Sequence, residues 1–302
     1  MSFQIVKKDI REIRADAVVL PADPEHPAGE IVPGHVVEGR SEEFSARHVL
    51  YVACPEWTGG STEECKILHS CYSGALSLAL ELSCRSIAFP LLAAGGCGFP
   101  EEEALQTALT AIRIFLLSHD MKVILAVPDR EKLKLPRNLD REVQNYIWSH
   151  AEDAVYEASS LSDISASPAD SKHAGPPVIS GRSLDEVIRG AGDTFQQKLF
   201  QLIDASGMDE VTVYKRANID RKVFSKIRCN RDYQPKKKTA VALAVALELD
   251  MPETEDLLSR AGLAFSPSNT FDLIIQFFIT NRMYDIFEIN AALFKYGQPV
   301  LG

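Results

Sequence analysis

Four short β-rich runs limit how the first half of this chain can fold. They are Ala17–Leu20, His48–Val52, Ser86–Phe89 and Lys122–Val127, and each is almost continuously apolar. Strands of that kind bury both faces, which points to a mostly parallel sheet rather than an antiparallel one with a wet side. Long helical patterns separate them. Thr62–Leu82 places Leu68, Cys71, Tyr72, Ala75, Leu76, Ala79 and Leu80 on one stripe, and Glu101–Leu117 repeats Leu105, Ala108, Leu109, Ile112 and Leu116 at the same spacing. Pro100 and three glutamates open the second helix, where proline lacks only an unneeded donor and acids meet the positive dipole end. The N-terminus begins like a first strand, and Asp140–Ala151 reads as a closing helix. Strand–helix alternation predicts an α/β domain over residues 1–152, its sheet covered on both faces.

The composition then changes. From Glu157 to Ser183 the chain is Ser, Ala, Asp, Pro and Gly with almost no large apolar residue, so residues 153–188 are expected to form a flexible linker. Helical patterns resume at 189 and continue to 302. Phe195, Leu199, Phe200, Leu202 and Ile203 form one face ended by Ser206-Gly207, and short helices follow at 210–217, 221–229, 239–248 and 253–261. A closing pair, 270–280 and 286–294, completes an all-α domain.

A length of 302 residues with 46% hydrophobic content suits two domains with separate cores, and excludes wholesale disorder. The net charge of −10 argues against non-specific coating of nucleic acid or anionic membrane. That average hides a reversal, because residues 208–239 hold ten Lys or Arg against four acids, a local charge of +6. No stretch approaches eighteen consecutive apolar residues and no signal core opens the chain. Six cysteines without a CxxC pair, five of them in apolar surroundings, read as reduced thiols in a cytoplasmic protein, with neither a metal nor a cofactor expected. His26, His35 and His48 have no metal-ligand spacing.

The run Phe89–Pro100 joins a buried strand to a helix N-terminus through small residues. Such a loop lets backbone N–H groups approach an anion beyond the carboxyl end of a strand. Here the sequence resembles the macrodomain family, over roughly residues 3–130. The resemblance rests on Asp9-Ile10, Asp16–Val19, Arg47–Pro55, Trp57 with Gly59-Gly60, Leu68–Leu80, and Ser86–Pro90 with Gly95 and Gly98. It implies a three-layer α/β domain with a mixed sheet that binds ADP-ribose or a related nucleotide metabolite. The site it implies comprises Asp9, which in the family holds the adenine amino group, with Ile10, Asp23, Ala93, Ala94, Gly95, Gly96, Cys97, Gly98, Phe99 and Asp129. Cys97, beside a helix N-terminus, is expected to have a lowered thiol pKa or to serve as a small loop filler.

Departures from the family bear on chemistry. Family hydrolases carry Asn-Ala-Ala-Asn after the second strand and then a glycine-rich loop ending in an acid; this chain has Leu20-Pro21-Ala22-Asp23 and runs straight into Pro24–His35. About two dozen residues, including the first glycine loop and its helix, are absent relative to the family. Ala93-Ala94 replaces Ser-Thr, and Pro128 stands where an aromatic residue often stacks on adenine. Asp23, with Glu25 or Glu30 nearby, is the one candidate acid for an ADP-ribosyl hydrolase or O-acetyl-ADP-ribose deacetylase, so binding without turnover is the leading expectation.

In the second half, Asp220 suits an N-cap for 221–229, a helix that turns Val223, Phe224 and Ile227 inward and leaves Lys222, Ser225, Lys226 and Arg228 outside. Residues 213–228, with Pro235–Thr239 and the Ala-Leu-rich helix beyond, resemble phage-repressor-type helix-turn-helix proteins over about 195–265. That resemblance implies DNA contacts from Lys215, Arg216, Arg221, Lys222, Ser225, Lys226 and Arg228. A single motif covers one half-site, so a homodimer is expected for tight binding. The alternative is a protein-docking adaptor that binds neither nucleotide nor DNA. Residues 281–302 lie beyond the motif as packing helices or an interface.

Overall fold

The computed structural model describes residues 2–22, 32–39, 43–59, 62–94, 97–162 and 193–302. Six strands, β1 (Ser2–Val6), β2 (Ala17–Pro21), β3 (Val36–Gly39), β4 (His48–Val52), β5 (Ser86–Pro90) and β6 (Lys122–Ala126), form one sheet in the order β1-β6-β5-β2-β4-β3. All neighbours run parallel except β3, which pairs antiparallel with β4. The strand β3 was not expected. It is short, and the ring of Tyr51 on β4 occupies the space a Cβ at Gly39 would need, so its place is fixed by its partner rather than by its own pattern.

The register levels the carboxyl ends of three strands, since Val6, Ala126 and Pro90 lie side by side. At the opposite edge the Asp16 carboxylate accepts from the backbone N–H groups of Arg85 and Ser86, at 2.8 and 3.1 Å, tying the start of β2 to the start of β5. The Arg85 amide is the main reason its carboxyl is held below the usual range.

Helices α1 (Thr62–Glu81) and α2 (Glu101–Ser118) cover one face, over Ala17, Val19, Leu50, Ile87, Phe89, Val123 and Leu125. On the other face Val18, Ala88 and Ile124 meet only Ile10, Ile13, Ala15, Phe44, Ala46 and neighbouring strand residues. No helix among the described residues lies there. Among the described residues, the expected cover of α-helices is met on one face only, the other carrying loop and the 3-10 turn Ile10–Glu12.

Helix α3 (Arg137–Ser162) runs ten residues into the segment 153–188 read as linker; residues 163–192 lie outside the described residues. Seven helices follow: α4 (Phe195–Ser206), α5 (Glu210–Arg216), α6 (Arg221–Cys229), α7 (Lys237–Ala246), α8 (Met251–Ser259), α9 (Thr270–Thr280) and α10 (Ile286–Lys295). Caps fix their starts. Thr194 and Asp250 form capping boxes with Gln197 and Glu253, and Asp209, Asp220, Asn269 and Asp285 cap with their side chains. Helix α7 is buried from Ala240 to Ala246 and forms the centre of this region.

The helical region and the sheet share one continuous core. Phe287 of α10 packs on Phe3 of the edge strand β1, ring centroids 4.9 Å apart, and Tyr146 of α3 meets Phe277 of α9 edge-on at 5.6 Å. Lys295 pairs with Asp140 at 2.6 Å, and Tyr296 donates to the same carboxylate at 2.9 Å. The open edge of β1 is met by Asn218, in the turn between α5 and α6. Its Oδ1 accepts from Phe3 N–H at 2.7 Å, and its Nδ2 donates to Phe3 C=O at 2.9 Å and to Leu301 C=O at 3.3 Å. Asn218 is buried and has φ +54°, a left-handed conformation that asparagine tolerates better than most residues.

Replacing Asn218 by alanine orphans buried backbone groups at about 1–3 kcal/mol each and adds backbone strain. Asn218→Ala is expected to lower unfolding stability by about 3–5 kcal/mol in urea titrations. A loss below about 1 kcal/mol would show that this contact is incidental.

Candidate functional site

The loop that leaves β5 at its carboxyl end is shaped by two aromatic residues. Tyr72 of α1 is fully buried, and its hydroxyl accepts the Leu92 backbone N–H at 2.9 Å; burial pushes that phenol well above its usual pKa. Trp57 donates its backbone N–H to the Cys97 carbonyl at 2.9 Å, and its ring packs on Phe99 with centroids 4.7 Å apart. Between these anchors Ala93 adopts φ +63° and Gly98 φ +72°. Ala94 bridges to Phe99, closing the loop on itself before α2 begins. Gly95 and Gly96 lie outside the described residues, as does Asp23.

Two acids stand beyond the adjacent carboxyl ends of β1 and β6. Asp9 is exposed and caps a short 3-10 turn (Ile10–Glu12), its Oδ1 accepting from Arg11 N–H at 2.9 Å. Asp129 caps a second such turn (Arg130–Lys132) in the same way, from Glu131 N–H at 3.0 Å. Each acid spends one oxygen on its own turn. Ile10 instead packs beneath the second sheet face. The Asp129 turn rests on the helical region, with the Arg130 guanidinium 5.3 Å from the Phe294 ring centroid.

Three thiols meet below the loop. Cys97, Cys54 and Cys71 lie close enough to shift one another's titration, and Cys71 donates to the Ala53 carbonyl at 3.3 Å. The Cys71 thiol is pulled down chiefly by its hydrogen bond with Cys54. Cys97 goes the other way. Burial, then the neighbouring Cys54 and Glu56, raise its pKa, which corrects the expectation of a helix-activated thiol. Sequence reading missed Cys54, Cys71 and Tyr72 as supports of the loop, because all three carry the apolar spacing of core residues.

The basic cluster is divided by the fold. Arg221, Lys222, Ser225 and Lys226 line the exposed face of α6, with Phe224 and Ile227 buried beneath. Lys215 turns away and donates to the Leu117 carbonyl at 3.0 Å, while Arg216 pairs with Glu248 and Arg228 pairs with Glu210 at 3.0 Å. No group of His, Cys, Asp and Glu that would hold a metal occurs among the described residues, and no described helix is long and apolar enough to cross a membrane.

A family model for the macro domain matches residues 22–108. Those residues are a macro domain. An O-acetyl-ADP-ribose deacetylase of Klebsiella pneumoniae is 34% identical over 113 residues, covering 37% of this chain and 65% of the relative. A macro domain-containing protein of Chlorobaculum tepidum is 36% identical over 88 residues, covering 29% and 51%. The chain thus spans between half and two-thirds of the length of these relatives. Among solved structures, the macrodomain of Oceanobacillus iheyensis with ADP is 20% identical, with a TM-score of 0.39, over 42% of this chain and 84% of that one. The Trypanosoma brucei macrodomain in complex with ADP-ribose is 23% identical, with a TM-score of 0.38, over 43% and 66%.

The raised Cys97 thiol sets a pH dependence. Its thiolate fraction stays below that of an ordinary cysteine at neutral pH, so alkylation by iodoacetamide is expected to be slower at pH 7 than that of an ordinary cysteine and to rise with pH. Peptide mass spectrometry across pH 6–10 (roughly the reagent's working range) checks this. Fast, pH-flat labelling at pH 7 would contradict the half-buried placement.

Proposed function

We propose that the macro domain of this chain binds ADP-ribose or a related nucleotide without turning it over. The observation that carries this reading is the Leu91–Phe99 loop, held at the carboxyl end of a parallel strand in a macro domain. A diphosphate needs inward backbone N–H groups, and positive φ at Ala93 and Gly98 bends the chain as such a cradle requires. Asp9 keeps one carboxylate oxygen for an amino-group donor such as adenine. Binding without hydrolysis is favoured because Leu20-Pro21-Ala22-Asp23 lacks the paired asparagines of family hydrolases.

Calorimetry with ADP-ribose on the full chain tests the reading. A single site with Kd below about 1 mM is expected, and Asp9→Ala should weaken it by about tenfold or more, the worth of one hydrogen bond to a charged acceptor. A folded protein that shows no heat at millimolar ligand overturns it.

We infer further that the helical region contacts nucleic acid through the exposed face of α6. Arg221, Lys222 and Lys226 supply charge there, and Ser225 supplies a polar group between them. With Lys215, Arg216 and Arg228 engaged elsewhere, the expected salt slope is shallow, with about three phosphates neutralised per copy. A gel-shift series in potassium chloride should therefore give a log–log slope near about −3. Lys222→Ala with Lys226→Ala should reduce it by about 2. Salt-independent binding, or none, favours docking to a protein.

A further inference from the structure

At the opposite end of the sheet from the loop, a cavity of about 480 Å³ opens between the two halves of the molecule. The C-terminal half of α2 forms one wall. The last turn of α5, Glu248 and the segment 282–287 form the other. Its size lies within the range of small-molecule sites, roughly 300–1,000 Å³.

The charges facing the cavity are four cations, Arg113, Lys215, Arg216 and Arg282, against two acids, Glu248 and Asp285. Both acids are already spoken for. Asp285 pairs with Arg113, and Glu248 pairs with Arg216. Lys215 is turned to the Leu117 carbonyl at the end of α2. Arg282 is exposed; its backbone N–H donates to the Ile279 carbonyl at 3.0 Å, while its guanidinium has neither a hydrogen bond nor an ion pair with any described residue. The lining thus keeps a formal excess of two positive charges, with one guanidinium uncommitted.

The apolar side of the cavity is equally unusual. Ile114 and Leu117 are 53% and 56% exposed, on a helix whose other large aliphatic residues are buried. They stand beside the Tyr284 ring, which is fixed by the bond from its hydroxyl to the Leu249 carbonyl at 3.1 Å. A surplus of cations next to bare aliphatic surface excludes a metal ion and disfavours a purely polar anion, which would leave that surface wet.

We propose that this seam is a binding site for a small organic anion, a phosphate monoester or carboxylate that carries an apolar body. The anionic head meets Arg282 and the outer edge of the Arg113 guanidinium, and the body covers Ile114, Leu117 and Tyr284. Because the walls belong to different halves of the molecule, the ligand bridges the macro domain to α5 and thereby to the basic helix that follows. The site is independent of the nucleotide loop.

Hexyl phosphate and hexanoate are the probes, with inorganic phosphate and hexanol as the headgroup-only and body-only controls, each titrated into the full chain by calorimetry. One site is expected for at least one amphiphile, with both controls at least tenfold weaker; the preferred probe identifies the headgroup. Arg282→Gly, which the positive φ of +56° favours, should keep the fold and weaken the amphiphile about tenfold, and Leu117→Asn should do the same. ADP-ribose titrations on both variants should match the parent protein, separating this site from the nucleotide reading. Hexanol binding as tightly as hexyl phosphate, retention of affinity in Arg282→Gly, or no binding of either amphiphile at millimolar concentration overturns the proposal.

Discussion

The pairing of one asparagine amide with the edge of β1 closes the sheet where it meets the helical region. A parallel strand at a sheet edge presents N–H and C=O groups that must be met by water or by protein. Here the side-chain amide of Asn218 imitates a neighbouring strand and satisfies both groups of Phe3. The same amide reaches Leu301, whose own backbone is held by Asn290 at 2.7 and 3.1 Å. With that edge closed, α10 lies beside α2 over the sheet, and the stack of Phe3 on Phe287 follows. Other links between the sheet and the helices, such as Lys295 to Asp140 and Arg113 to Asp285, stand beside this closure.

That arrangement also explains the lopsided sheet. Helices α1, α2 and α10 lie along one face, while the reverse face makes do with short side chains under a loop. Val18, Ala88 and Ile124 form the small buried cluster on that side, covered among the described residues by Ile10, Ile13, Ala15, Phe44 and Ala46. Apolar burial is concentrated in the shared core, and the candidate nucleotide loop projects from the thicker side, propped by Tyr72 of α1.

The fold was legible in the sequence wherever a segment's own pattern decides its conformation. The central strands are apolar on nearly every residue and the helices carry 3.6-residue stripes, so their positions agree with expectation within a few residues, apart from the end of α3. The Asp220 cap could be read because a short acid before a basic helix needs no tertiary knowledge. Where the partner decides, the sequence was mute. Val36–Gly39 becomes a strand only against β4, and Asn218 in Ala217-Asn218-Ile219-Asp220 looks like any polar turn residue. Lys215 and Arg216 were counted with the basic patch because a charge sum knows nothing of the Leu117 carbonyl or of Glu248. For Cys97 only the reading of a lowered thiol pKa fails, while that of a small loop filler stands. Its place before a helix is visible in the sequence, while its burial against Cys54 is not.

Ala93 carries a consequence for selectivity. An alanine with φ +63° costs about 1–2 kcal/mol over a relaxed backbone, and it is sustained by the Tyr72 bond one residue earlier and by burial of its own methyl. The entropy of shaping that stretch is therefore spent when the chain folds and not when a guest arrives. A guest matching the existing contour forgoes that charge on its affinity. One that needs a different contour must break a buried hydrogen bond to obtain it, so discrimination at this loop works by rejection more than by attraction.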